Sequence, residues 1–269
     1  MHKQITSLQN SLIKELVQLK EKSRNRKKTG TFLLEGHREI ELAAKGKYTI
    51  QKILFCLEIT SENIVSTIKN ALNDGIEFLE VSKDVYAKIA YRESTEGVIG
   101  LVESKTHSLD NIVFKRDTPL ILIAEAPEKP GNIGALLRTA DAANIDAVFI
   151  ANPRTDLYNP NIIRSSVGCL FTTQVATADT KDILMYLNKK NIYSYAAALE
   201  DDSEPYQNQN FKDATAIIVG TEATGLSKDW LKNSTKKIII PMNGEIDSMN
   251  VSVAASILIF EASRQRNFT

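Results

Sequence analysis

At 269 residues, 43% of them hydrophobic, the chain can fill the cores of two ordinary domains. Its 33 basic and 33 acidic residues cancel, which excludes nucleic-acid binding through bulk charge but leaves local basic patches free to act. Two distant cysteines, Cys56 and Cys169, exclude a disulfide framework and a zinc knuckle; no apolar run reaches membrane-spanning length and no signal-peptide core opens the chain, so a soluble, cytoplasmic protein is expected.

Leu8, Leu12, Leu16 and Leu19 recur at helical spacing and predict an amphipathic helix over about 9–21. Lys20, Lys22, Arg24, Arg26, Lys27 and Lys28 then crowd a basic loop, which reads either as a solvated helix end whose cations suit the dipole or as an RNA contact. Strands over 31–34, 50–56, 77–81 and 98–102, with helices over 35–45 and 62–70, complete a small α/β unit. Residues 103–117 are polar, carry both signs of charge and lack strong periodicity, so the domains are expected at 1–106 and 118–269, joined by a linker at 107–117.

Residues 119–124 form a continuous apolar run, the pattern of a strand buried on both faces of a parallel sheet. Helices over 135–144, 181–189 and 249–264 alternate with strands over 147–151, 171–175, 193–197, 216–220 and 237–240. This predicts a layered α/β domain with helices on both faces.

In that second half, three strand ends give way to glycine or small polar residues. They are Pro130-Gly131-Asn132-Ile133-Gly134, then Val219-Gly220-Thr221-Glu222-Ala223-Thr224-Gly225, then Ile240-Pro241-Met242 followed by Asp247-Ser248-Met249-Asn250. Ligands of open parallel sheets bind outside the carboxyl ends of the strands, so these loops converge on one site. In the first, Ile133, Leu136, Leu137 and Ala140 share a helical stripe from which Arg138 points away, and the glycines at the helix start suit an anion or simply pack the helix on its sheet. Ser227 reads as a helix N-cap, and Ser248 and Asn250 read either as caps of the final helix or as pocket residues. Tyr158, His37, His107 and Trp230 lack the spacing of a metal or nucleophilic site and are assigned to packing or surface; no metal is expected.

In order and spacing, this trio resembles the signature motifs of the SpoU (TrmH-type) branch of the SPOUT methyltransferases, which methylate ribose 2′-hydroxyls of RNA from S-adenosyl-L-methionine. The resemblance implies a parallel-sheet catalytic domain threaded into a trefoil knot and catalytic roles for Asn132, Arg138, Glu222 and Asn250. It also implies cofactor contacts at Gly220, Ile240, Ser248 and Met249, RNA contacts at Arg164 and Ser166, and a homodimer. Thr221 stands where many members have asparagine, and Met249 where leucine is common. A guanidinium is a donor that proteins do not deprotonate, so Arg138 is expected to clamp phosphate and steady a developing alkoxide rather than act as a base.

The segment Phe32-Leu33-Leu34-Glu35-Gly36-His37-Arg38-Glu39 resembles the start of the L30e-like substrate-binding domain of rRNA members, to which Arg24, Arg26, Lys27 and Lys28 would add phosphate contacts. The expected substrate is 23S-type rRNA, with tRNA as the alternative. A Rossmann oxidoreductase fails on glycine spacing, and a noncatalytic RNA-binding module on the same fold is disfavoured by the intact Asn132, Arg138, Glu222 and Asn250.

Overall fold

The structure, a computed structural model, describes residues 4–72, 75–92, 96–221, 224–246 and 248–268. In chain order it contains α1 (Ser11–Glu21), α2 (Ser23–Thr29), β1 (Thr31–Glu35), α3 (His37–Lys45), β2 (Ile50–Phe55), α4 (Glu62–Ala71), β3 (Glu77–Glu80), α5 (Lys83–Ile89) and β4 (Val98–Glu103). There follow β5 (Leu120–Glu125), α6 (Pro130–Ala142), β6 (Ala147–Ala151), α7 (Pro160–Ser166), α8 (Cys169–Thr172), β7 (Val175–Ala178), α9 (Thr180–Lys189) and β8 (Tyr193–Ala197). The chain ends with β9 (Glu204–Pro205), β10 (Thr215–Val219), α10 (Lys228–Asn233), β11 (Lys236–Ile239) and α11 (Val251–Gln265).

These elements form two units, one of Met1–Thr106 with Asp156–Thr172 and one of His107–Thr155 with Thr173–Thr269. The first holds a sheet of order β1-β4-β2-β3, antiparallel except for the β2–β3 pair. Strand alternation sends Leu33, Leu54, Ile99 and Leu101 to the face covered by Ile13, Leu16 and Leu19 of α1 and Val85, Tyr86 and Ile89 of α5. Phe32, on the opposite face, stacks on Tyr158 with ring centroids 4.2 Å apart and on Phe171 at 6.0 Å, while Tyr48 meets it edge-on. Tyr158 is thus a packing residue, and burial pushes its hydroxyl and that of Tyr48 up from the usual phenol range.

The expected basic loop is largely α2, closed by Gly30 in the left-handed conformation (φ 67°), whose N–H donates to the Arg26 carbonyl. Arg26 is only 5% exposed and grips Asp156 with two bonds, Nε to Oδ1 at 3.0 Å and Nη2 to Oδ2 at 2.8 Å. Its Nη1 donates to the carbonyls of Leu19 and Lys20. Arg26 is therefore a structural arginine rather than a phosphate ligand, because its donors are already used inside the unit. Lys20 is likewise engaged, donating to the carbonyls of Lys88 at 2.7 Å and Ala90 at 3.2 Å.

The second unit is built on an all-parallel sheet of order β7-β6-β5-β10-β8-β11-β9. Leu120 to Glu125 are buried throughout, as a strand covered on both faces requires. Residues 107–117, expected as a linker, instead lie against β7 in this unit. The Thr177 N–H donates to the His107 carbonyl at 2.8 Å, the Gln174 amide exchanges hydrogen bonds with the backbone of Val113, and Leu109, Ile112 and Phe114 pack on the core. The strand expected over 171–175 is divided: Phe171 sits in α8 of the first unit and β7 begins at Val175. A short apolar run suits helix and strand alike, and here the chain passes from one unit to the other. Among the described residues no helix is long and apolar enough to cross a membrane.

Candidate active site

All seven strands of the second sheet run the same way, so their carboxyl ends share one edge. On that edge β10 lies beside β5 with Val219 opposite Ala124, which brings Gly220 out next to Glu125. Ile240 follows the end of β11, and Ser248 to Asn250 lead into α11. The expected convergence of the three loops follows from strand order and direction.

The first loop is shorter than its glycines suggest, because α6 starts at Pro130, five residues before the expected start. Proline is at home in the first helical position, where its missing N–H goes unused. Ile133, Leu136, Leu137 and Ala140 are buried against the sheet and α11, with Thr139 Oγ1 2.8 Å from Ser256 Oγ. Arg138 is exposed, as its place off this stripe predicts, and Gly131, two turns before it on the same face, opens on space that a Cβ would not fill.

Asn250 joins the first and third motifs. Its Oδ1 caps α11, accepting from the Ser252 N–H at 2.9 Å and the Ser252 hydroxyl at 2.6 Å. This fixes the amide so that Nδ2 faces Asn132 and donates to its Oδ1 at 3.2 Å. The cap and the contact with the first motif are thus combined in one side chain. Ser248 is exposed, while Met249 and Ile240 are half-buried.

In the second motif, Glu222 lies outside the described residues. Around it the loop closes on itself: Thr221 and Gly225 exchange backbone hydrogen bonds of 3.1 Å each, and the Thr224 N–H donates to Thr221 Oγ1 at 3.0 Å. A Cβ on Gly220 would stand 2.3 Å from the Gly225 carbonyl carbon and 2.6 Å from the Leu226 nitrogen, so only glycine lets the loop fold back this tightly. Ser227 occupies the N-cap position of α10 yet makes no cap hydrogen bond; its hydroxyl donates to Glu125 instead.

Glu125 is a site-edge residue that motif reading passed over. It is buried, and its carboxylate accepts from the Ser227 N–H (2.7 Å), Ser227 Oγ (2.8 Å), Thr180 Oγ1 (2.9 Å) and Asn152 Nδ2 (3.4 Å). The available signal was an acidic residue directly ending an apolar run, since a carboxylate there must find donors from other segments.

Two expected RNA contacts belong to the first unit. Arg164 is exposed at the end of α7, bonded to Asn161. Ser166 is fully buried, with its hydroxyl on the Ile163 carbonyl, and so is a packing residue rather than an RNA ligand. Arg24, Lys27 and Lys28 are exposed. No cluster of metal-binding side chains occurs among the described residues.

The donor set suits S-adenosylmethionine. Gly220 and Ile240 leave the carboxyl ends of β10 and β11, the two strands that flank β8, and Met249 precedes α11. Ile240 and Met249 add half-buried apolar side chains to these backbone groups, the combination an adenosyl group requires.

Residues 119–260 match the SpoU rRNA Methylase family, and residues 10–100 match the MRM3-like substrate binding domain. The chain is 30% identical to the 23S rRNA (guanosine(2553)-2′-O)-methyltransferase RlmP of Bacillus subtilis (strain 168), over 96% of this chain and 98% of that protein. It is also 30% identical to the tRNA (guanosine(18)-2′-O)-methyltransferase of Thermus thermophilus, over 61% of this chain and 84% of the relative. The crystal structure of an AdoMet-bound rRNA methyltransferase from Sinorhizobium meliloti matches with a TM-score of 0.89 at 25% identity, covering 97% of each chain. With the loops, the fold and these likenesses in agreement, the chain belongs to the SpoU methylase family, the SPOUT RNA 2′-O-methyltransferases that use S-adenosylmethionine.

Proposed function

We propose that this chain methylates a ribose 2′-hydroxyl of 23S-type ribosomal RNA. The observation that carries the proposal is the Asn250–Asn132 hydrogen bond, which joins the first and third motifs at the sheet edge on the helix that carries exposed Arg138. Bound S-adenosylmethionine supplies an electrophilic methyl group on a good leaving group. The protein's part is alignment and electrostatics. In this reading Arg138 holds the phosphate beside the acceptor ribose and stabilises the developing alkoxide as a fixed donor. Asn132 and Asn250 organise the floor of the pocket, with Glu222 orienting RNA or Arg138, and Gly220, Ile240, Ser248 and Met249 line the cofactor side.

The first unit supports ribosomal RNA over tRNA. The ribosomal relative spans it, and the tRNA relative matches a much smaller share of the chain. Exposed Arg24, Lys27 and Lys28 on α2, with Arg164 on α7, are the phosphate contacts we assign to it. On α11, Val253 and Phe260 are 50% and 42% exposed, and half-buried Ile257 lies between them on the same helical face. That apolar stripe supports a homodimer formed by the catalytic domain. The domains are read as 1–106 together with the 156–172 excursion, and 107–155 together with 173–269, with the catalytic domain threaded as a trefoil knot and the enzyme working in the cytoplasm.

Mapping 2′-O-methyl groups in rRNA and tRNA from cells with and without the gene tests the substrate. Loss of a single 23S-type rRNA methyl group is expected. Loss confined to tRNA would overturn the ribosomal assignment.

A further inference from the structure

We propose that Glu125 is a positioning residue for the methyl-donor pocket, holding the Gly220–Leu226 loop in its binding shape through Ser227. The inference rests on the methyltransferase reading and adds to it a residue outside the three motifs.

Glu125 ends β5 with its side chain buried, and no basic side chain pairs with it among the described residues. Its charge is balanced by the four donors from Ser227, Thr180 and Asn152, which arrive from the start of α10, the start of α9 and the end of β6. Asn152 closes the set: its Oδ1 accepts from the Thr180 N–H at 3.2 Å, and its Nδ2 donates to Thr180 Oγ1 at 2.9 Å. The N-terminal end of α9 favours the anion placed there. A buried carboxylate satisfied this fully ties the starts of α9 and α10, which lie outside the sheet, to the end of β5.

The backbone around it is set in unusual conformations. Ala126, the next residue, has φ 44°, and Asn152, at the equivalent end of the adjoining β6, has φ 50°. Non-glycine residues persist in this region where surrounding contacts hold them, and the carboxylate's hydrogen bonds supply such contacts.

The link to the pocket is short. Glu125 takes both donors of Ser227, and Ser227 forgoes capping α10 to give its hydroxyl. Leu226 and Gly225, the two residues before Ser227, are those whose backbone lies against Gly220, closer than any Cβ would permit. The far leg of the cofactor loop is thus pinned at Ser227 and the near leg at β10. Slack at Ser227 would let the far leg lift from Gly220 and change the spacing of the backbone groups that face the cofactor.

The test uses Glu125→Gln and Ser227→Ala in the full-length protein. Glutamine keeps the size and one acceptor, so packing is retained while the charge is lost. Ser227→Ala removes one donor without touching a helix cap. Titration of S-adenosylhomocysteine by calorimetry is expected to show about tenfold weaker binding for Glu125→Gln and about threefold for Ser227→Ala. The KM for S-adenosylmethionine should rise in parallel, the KM for RNA should stay within twofold, and urea unfolding should remain cooperative with an unchanged slope. A merely structural role would instead lower the unfolding midpoint with wild-type cofactor affinity in the protein that remains folded, and that result overturns the proposal. So does wild-type affinity in both variants. If the unaltered protein fails to bind S-adenosylhomocysteine, the methyltransferase reading fails, an outcome distinct from either.

Discussion

Asn250 donates its side-chain N–H to the Asn132 carbonyl oxygen across 3.2 Å, joining residues 118 positions apart while its own oxygen caps α11. The two functions can be separated. Aspartate caps a helix as well as asparagine but has no N–H to offer Asn132. Asn250→Asp is therefore expected to keep thermal stability within about 1 kcal/mol of the parent and to lower methyl transfer about tenfold or more, measured by single-turnover kinetics beside a melting curve. Full activity in the variant would confine Asn250 to capping.

Arg138→Ala should reduce single-turnover methylation by roughly a hundredfold or more, the size of effect expected on removing one preorganised electrostatic stabiliser. Cofactor affinity should stay close to wild type, because the proposed cofactor contacts lie on other loops. Near-normal turnover would remove Arg138 from the reaction.

Gly220→Ala places a methyl group about 2.3 Å from the Gly225 carbonyl carbon, a contact that only backbone movement relieves. Calorimetry should show S-adenosylhomocysteine binding weakened by tenfold or more. Gly131→Ala meets nothing and sits in a helix, so its stability should match the parent or exceed it by up to about 1 kcal/mol. Equal behaviour of the two variants in both assays would contradict the assigned loop geometry.

The basic segment should divide by exposure. Neutralising Arg24, Lys27 and Lys28 together is expected to weaken RNA binding and flatten its salt dependence, since fewer phosphate contacts release fewer counterions. Arg26→Ala should act on folding, destabilising by about 2–4 kcal/mol because it leaves the largely covered Asp156 carboxylate without its partner. An Arg26→Ala protein of normal stability and weakened RNA binding would reverse that assignment.

Light scattering at micromolar concentration should report about twice the chain mass of 29.9 kDa. Replacing Val253 and Phe260 with charged residues should shift the protein to monomer, since about half of each residue is exposed on one face of α11. A dimer untouched by these changes would place the interface elsewhere.

The sequence by itself determined most of the alternating strands and helices of the second unit, though not the start of β7 or the short β9, and it determined the buried stripe of α6 and the exposure of Arg138. Each follows from periodicity within one segment, where the pattern that forms the element also fixes which side faces the core. The loops at Gly220, Ile240 and Asn250 were legible for a related reason: in a parallel sheet, chain direction alone sends strand ends to one edge.

Burial of polar side chains was decided only by tertiary structure. Arg26 stands among five other basic residues of its segment, and nothing local separates it from Arg24 or Lys27. Its fate depends on Asp156, 130 positions away. Ser166 turned inward, residues 107–117 were drawn onto β7, and Ser227 gave up its cap to Glu125 for the same reason. A polar group inside a protein goes where its hydrogen-bond partners are, and those partners come from segments that only the folded chain brings together.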